Sequence, residues 1–331
     1  MATTIDRRNF ITGAAALGFT GIQTANAQSQ PAVFAPIPIW PPREHFMLWP
    51  GLPPGSPPGA TPSSVVPPLA PGQSIERVTG IRHPHIGVFR PTRPDGRAML
   101  VIPGGGYGFV ALMNEGIGVA RALNAHGITA FVLVYRLPGE SWLNRADVPL
   151  QDAQRAMRLI RARAAAFGID PAKLGVCGFS AGGHLAATLT VGHADPVYRG
   201  RDAADQLPAR PACSGLIYPV TSFATAGTHS RSAANLLGPD PAPQTAARYD
   251  AVARVTPATP PLFLVHAMDD SVVGVAQSIA MTEAARRHKV PVEAHLLERG
   301  GHGFGASRLP ASNPGAKWLD WFATWTATHL R

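Results

Sequence analysis

From about residue 75 the chain alternates short apolar runs with helical stretches, and that alternation admits few folds. The runs at 98–102, 129–135, 174–179, 214–218 and 262–266 are rich in β-formers and bounded by Gly or Pro. Runs of this kind read as strands buried on both faces. A further strand pattern covers 292–298. Between them, 148–167 places Leu150, Ala153, Met157 and Ile160 at helical spacing, with Arg155, Arg158, Arg161 and Arg163 in the gaps. Strand–helix units in series predict an α/β architecture: a mostly parallel central sheet with helices on both faces. With 331 residues, 45% of them hydrophobic, and no internal repeat, the chain can fill one large core.

The segment ahead of this pattern has a different texture. Residues 31–71 hold 14 of the 34 prolines, which excludes regular helix and central strand. Residues 28–74 therefore read as a Pro-rich extended arm. Trp40, Phe46, Leu48 and Trp49 are interleaved with the prolines, so the arm is expected to lie against the body. Before it, Arg7-Arg8-Asn9-Phe10-Ile11 opens a mildly apolar stretch to Ile22, followed by Ala25-Asn26-Ala27. A charged start, a short apolar core and a small-x-small site form an export signal, here similar to the twin-arginine type. Cleavage after Ala27 would leave 28–331 in the periplasm or outside the cell. No later stretch is long and apolar enough for a membrane span, so no membrane insertion is expected of the mature form.

The formal charge of +9 comes with 26 Arg and only three Lys, but the arginines are scattered without a basic run. A nucleic-acid partner needs such charge gathered on one face, so none is expected. Cys177 and Cys213 cannot make a disulfide framework and read as two buried thiols.

Gly178-Phe179-Ser180-Ala181-Gly182 follows one buried run directly and opens a helical stretch. G-x-S-x-G between strand and helix is a nucleophile elbow, which lifts the serine hydroxyl above the sheet edge. An acyl-transfer serine needs donors for the oxygen that becomes charged. The run 98–102 ends in Pro103-Gly104-Gly105-Gly106, where a backbone without Cβ atoms can approach a substrate oxygen. The expected oxyanion donors are the N–H groups of Ala181 and of Gly105 or Gly106. The serine also needs a base, and the base needs a carboxylate to orient it. In elbow hydrolases the chain order is serine, acid, histidine. Met268-Asp269-Asp270 supplies two carboxylates at a strand end, and Gly300-Gly301-His302-Gly303 a histidine among glycines. His184 reads as a packing or supporting residue on the elbow helix, and His266 as structural. No H-E-x-x-H and no paired CxxC is present, so neither metal nor cofactor is expected.

Taken together, these residues resemble the α/β-hydrolase superfamily, and within it the exported acetylxylan-esterase, carbohydrate-esterase and feruloyl-esterase-like branch. The resemblance runs from about Trp49 to the C-terminus. It is carried by Ile-Pro-Gly-Gly-Gly-Tyr at 102–107, Glu115-Gly116, Tyr135-Arg136-Leu137, Asp152-Ala153, Gly168-Ile169-Asp170-Pro171, Gly178–His184, Met268-Asp269-Asp270 and Gly301-His302-Gly303-Phe304. Pro103 stands where hormone-sensitive-lipase-like relatives carry His, and Ser180 where dienelactone hydrolases carry Cys.

The resemblance implies a Ser180–His302–Asp270 triad, with Asp270 preferred over Asp269 because Asp270 and Val273 match the family's D-x-x-V spacing. It implies a two-step mechanism on acyl esters, acetyl foremost, of a polysaccharide or small molecule. Tyr107, Glu115 and Arg136 become candidates for lining the entrance or bracing the oxyanion loop, with a purely structural role equally open to each. Residues 221–258, with Ser222, Thr225, Asn235, Tyr249 and Asp250, read as a cap insertion over the sheet edge.

Three other readings stand beside this one. A small-ester or lipid esterase shares the chemistry, but a lipase lid should be strongly apolar, and 221–258 is rich in Ser, Thr, Ala and Asn. A prolyl peptidase would bring a large extra domain. A non-catalytic binding protein on the same fold would be expected to have lost a member of the serine, aspartate and histidine set.

Overall fold

The apolar runs become strands of one eight-stranded sheet. They are β1 (His45–Met47), β2 (His85–Phe89), β3 (Ala98–Ile102), β4 (Thr129–Val134), β5 (Leu174–Phe179), β6 (Ser214–Ile217), β7 (Leu262–Ala267) and β8 (Val292–Leu297). Their spatial order is β1-β2-β4-β3-β5-β6-β7-β8. The six strands from β3 onward pair in parallel, and β1 and β2 add an antiparallel edge. Strands β3 to β7 are buried along their whole length, as unbroken apolar runs require.

The computed structural model describes residues 39–331 except 64, 70–73 and 225–229, and Ile39–Arg331 form one compact unit. The expected export signal at 1–27, the arm from 28 to 38 and Thr225 lie outside the described residues. Among the described residues, no helix is long and apolar enough to cross a membrane.

Among the described residues, eight α-helices flank the sheet: α1 (Gly118–Ala125), α2 (Val148–Ala162), α3 (Ala164–Phe167), α4 (Ser180–Gly192), α5 (Ser230–Leu237), α6 (Pro243–Arg248), α7 (Ala276–Arg287) and α8 (Trp318–His329). The helical pattern at 148–167 divides into α2 and α3 at Arg163, whose backbone (φ −109°, ψ 13°) leaves the helical range. Right-handed crossovers put helices on opposite faces when the chain moves to opposite sides along the sheet. From β3 it moves through α1 to β4 on one side, and from β5 through α4 to β6 on the other. Accordingly α1 packs with α8, and α2 with α4.

That reversal fixes where a site can form. β3 and β5 are neighbours, with Ile102 opposite Gly178 at their C-terminal ends. The loops leaving them diverge, and the crevice between diverging loops is where ligands bind in open α/β sheets.

From Ile39 onward the Pro-rich segment is part of the body. Trp40, Leu48 and Trp49 are buried. Trp49 Nε1–H donates to Asp152 Oδ1 at 2.7 Å, and Arg155 Nε–H donates to the Leu48 carbonyl at 2.9 Å. β1 lies inside this segment, on the sheet edge where proline neighbours are tolerated.

Candidate active site

Ser180 sits where β5 turns into α4, at φ +53°, a left-handed conformation rarely adopted by a residue with a side chain. Such a turn is strained, and the packing around it has to enforce it. The requirement for Gly182 is steric: a Cβ there would stand 2.3 Å from the carbonyl oxygens of both Ile102 and Pro103. The close approach it permits brings the end of β3 against the elbow.

Two further side chains form a line with the serine. The Ser180 hydroxyl lies 2.9 Å from His302 Nε2, and His302 Nδ1 lies 2.7 Å from Asp270 Oδ2. The carboxylate can only accept, so Nδ1 carries the proton and Nε2 accepts from the serine. Asp270 Oδ1 takes the backbone N–H groups of Val272 and Val273, both at 2.9 Å. Burial works against the charged form of Asp270, but hydrogen bonds from His266 and His302 outweigh it and hold the carboxyl well below the usual carboxylate range. Asp269 points elsewhere, its Oδ1 accepting the N–H groups of Gly300 and Gly301 at 2.9 and 2.8 Å. It thereby fastens the loop that carries His302.

The Gly104–Gly106 loop faces the serine. Gly105 adopts φ +125°, and a Cβ there would stand 2.1 Å from the Phe109 carbonyl oxygen. Side chains anchor the loop on several sides. Tyr135 O–H donates to the Pro103 carbonyl at 3.0 Å, Asn235 Nδ2–H to the Gly106 carbonyl at 2.7 Å, and Gly104 N–H to Glu115 Oε2 at 2.7 Å. Among the described residues, the N–H groups of Gly105 and Gly106 have no acceptor.

Glu115 is buried, which pushes its pKa up, while the bonds from Gly104 and Tyr218 pull it back. The Tyr218 hydroxyl donates to Glu115 Oε1 at 2.9 Å and accepts from Gly305 N–H at 2.9 Å. Its ring meets the His302 ring edge-on, with centroids 4.9 Å apart.

The expected supporting residues fall into different places. Glu115 both lines the cleft and braces the oxyanion loop. Tyr107 does not line it: its ring is buried, and its hydroxyl donates to His184 Nδ1 at 2.8 Å. His184 Nε2–H in turn donates to the Tyr249 carbonyl, so His184 supports the loop from below. Arg136 takes the structural one of its two expected roles. It is fully buried, paired with Asp152 at 2.7 Å, and its Nη1–H donates to the Pro54 carbonyl at 2.6 Å. It fastens the Pro-rich segment, because successive side chains leave an extended backbone on opposite sides. Tyr135 reaches the oxyanion loop and Arg136 turns away from it.

Tyr218 is not singled out by the sequence, and His266, which reads as structural there, has its Nε2 3.2 Å from Asp270 Oδ2. A tyrosine closing a buried run was the available signal for Tyr218. Cys177 and Cys213 are both buried and free, and burial pushes the Cys213 thiol up to about 12.

The cleft above Ser180 has a volume of about 390 Å³, within the range of small-molecule sites. Gly105, Gly106, Phe109, Glu115, Ser180 and His302 line it, with arginines at its rim. A larger groove of about 750 Å³ lies beside Trp49 and α2. Its Arg155 and Asp202 already pair with each other, its Arg163 lies over the Phe46 ring, and among the described residues it holds no nucleophile with a base.

A doubly wound sheet with a serine elbow at its switch point and a histidine returning over the strand ends defines an α/β-hydrolase. Within that class, the chain belongs to the BD-FAE family, whose model matches residues 88–285. It is 36% identical over 205 residues to endo-1,4-beta-xylanase B of Butyrivibrio fibrisolvens, covering 62% of this chain and 32% of that one. It is 32% identical over 221 residues to an acetylxylan esterase of Xylanibacter ruminicola, covering 66% and 43%. The chain therefore spans less than half the length of these two relatives. Among solved structures, the acetyl ester-xyloside bifunctional hydrolase from Caldicellulosiruptor lactoaceticus is similar with a TM-score of 0.70 at 31% identity, covering 86% of this chain and 96% of that one. Family and relatives place the chain in the carbohydrate-esterase-like branch of the α/β-hydrolases.

Proposed function

We propose that the protein is a serine carboxylesterase that removes acyl groups, acetyl above all, from carbohydrate. The observation that carries this reading is the unbroken line of hydrogen bonds from Ser180 through His302 to Asp270, beside backbone donors that have no acceptor among the described residues. In the first step Ser180 Oγ attacks the ester carbonyl while its proton passes to His302 Nε2. Asp270 stabilises the imidazolium that forms. The N–H groups of Ala181 and of Gly105 or Gly106 receive the charge that develops on the carbonyl oxygen. The C–O bond then breaks, the departing alcohol takes the proton from His302, and an acyl-Ser180 ester remains. In the second step His302 takes a proton from water, the resulting hydroxide attacks the acyl carbon, and Ser180 leaves with its proton restored.

Support for a carbohydrate alcohol comes from the relatives, which are an acetylxylan esterase, a xylanase and an acetyl ester-xyloside hydrolase. The test is a panel of acetylated xylan, acetylated pectin, feruloyl esters and simple acyl esters. Faster release of acetate from the acetylated polysaccharides than from simple esters is the expected result. A preference for long-chain acyl esters would contradict it.

The protein is also read as exported through the twin-arginine route, on the strength of Arg7-Arg8 and the segment to Ala27. Replacing Arg7-Arg8 with Lys-Lys should retain it in the cytoplasm; unchanged export would refute the route.

A further inference from the structure

The cleft around Ser180 carries more positive charge than breaking a neutral ester requires. Arg77, Arg231 and Arg308 come from three distant parts of the chain and converge on it. Arg77 lies over the Phe109 ring, its guanidinium carbon 3.8 Å from the ring centroid. Arg231 rests its aliphatic stem on the oxyanion loop: a Cβ on Gly106 would stand 3.5 Å from Arg231 Cδ. Arg308 approaches the turn after His302, with Nη1 3.7 Å from the position of a Cβ on Gly303.

All three are exposed, and among the described residues none has an ion-pair partner. Other arginines are committed to structure: Arg97, Arg136, Arg155, Arg161 and Arg254 each hold backbone carbonyls. Of the two carboxylates facing the cleft, Glu115 is buried and occupied by Gly104 and Tyr218. Glu115 also feels the charge of Arg308, which pulls its pKa down against the effect of burial. Among the described residues lining the cleft, Glu76 is the one exposed carboxylate set against three guanidinium groups. Like charges gathered at one mouth repel each other, and a bound carboxylate relieves that repulsion while accepting forked N–H bonds.

We infer that the cleft prefers esters bearing a carboxylate, and that Arg77, Arg231 and Arg308 set the preference. The inference rests on the esterase reading above and names the substrate class within it. The carboxylate can belong to the sugar, as in an acylated uronic acid, or to the acyl group, as in the half-ester of a dicarboxylic acid.

Two matched pairs test it in the full chain, with acid release followed in a pH-stat. One pair is acetylated methyl glucuronoside against acetylated methyl glucoside; the other is monoethyl succinate against ethyl pentanoate. In at least one pair the anionic member should show a kcat/KM about tenfold higher at low salt. That ratio should shrink severalfold between about 0.02 and 0.5 M NaCl, because exposed charges are screened. In the double variant Arg231→Gln, Arg308→Gln the ratio should fall toward one. A preference confined to the first pair assigns the carboxylate to the sugar, and one confined to the second assigns it to the acyl group. Ratios of one in both pairs, with turnover intact, overturn the inference and leave the esterase reading standing. No turnover of any of the four by folded protein overturns both.

Discussion

The Tyr218 hydroxyl donates to Glu115 at 2.9 Å, and through that bond the serine side and the histidine side of the site share one anchor. Glu115 holds Gly104 at the oxyanion loop, while Tyr218 holds Gly305 and lies against His302. Tyr218→Phe keeps the ring but cuts the connection. The expected result is a kcat lower by about 10- to 100-fold with KM little changed, since small displacements of reacting groups are costly. The same variant leaves a buried acceptor short of a donor, for about 1–3 kcal/mol of stability. Steady-state kinetics and urea unfolding measure the two effects. An unchanged kcat would remove Tyr218 from the account.

The two adjacent aspartates should behave very differently. Asp270→Asn exchanges the ionised partner of His302 for an amide that can impose the wrong tautomer, and kcat should fall by about 10⁴. Asp269→Asn keeps an oxygen able to accept from Gly300 and Gly301, so the expected loss is roughly tenfold or less. Kinetics on 4-nitrophenyl acetate compares them, and the reverse order would reassign the acid.

Two buried histidines predict how stability follows pH. His85 and His184 are held neutral by burial, their pKa values lowered to about 4. In each, one ring nitrogen donates to a backbone carbonyl and the other accepts, from Trp40 and Tyr107 respectively. A second ring proton would face a donor. The unfolded chain takes up these protons near pH 6.5, so it binds more protons than the folded chain between about 6.5 and 4. The stabilisation is complete above pH 6.5 and is lost as the pH falls toward 4, by about 3 kcal/mol for each histidine. Urea midpoints at pH 7.5 and 4.5 should show the fall. A flat or rising profile over that window would contradict it.

Arg136 matters for stability through the Pro-rich segment. Arg136→Met leaves the Asp152 carboxylate buried without its cation and frees the Pro54 carbonyl. Breaking a buried pair from one side costs about 3–5 kcal/mol. Urea unfolding should register that loss, and a change below about 1 kcal/mol, the scale of an exposed pair, would show that the pair is not essential.

What the sequence reveals of this site depends on how local each requirement is. The elbow is legible because its constraints are contiguous: Gly178 to Gly182 must turn from strand to helix within five residues. The Pro-Gly-Gly-Gly run and the glycines around His302 are legible for the same reason. The parallel sheet is equally plain, since strands covered on both faces are apolar throughout. β1 and β2 are less so: β1 is three residues long within a proline-rich stretch, and β2 contains His85 and Gly87. Tyr218 and His266 show in the sequence only as ends of buried runs, the three cleft arginines carry no local pattern, and only folding brings these segments together. Arg136 stays open in the sequence between a site role and a structural one, because adjacency to Tyr135 along the chain does not say which side of the backbone its side chain leaves.

Attack by Ser180 is the centre of the account, and Ser180→Ala tests it directly. The wild type should hydrolyse 4-nitrophenyl acetate, and in the variant kcat should fall by about 10³- to 10⁶-fold, with circular dichroism and urea midpoint showing the protein folded. A folded Ser180→Ala variant that keeps wild-type turnover would contradict it.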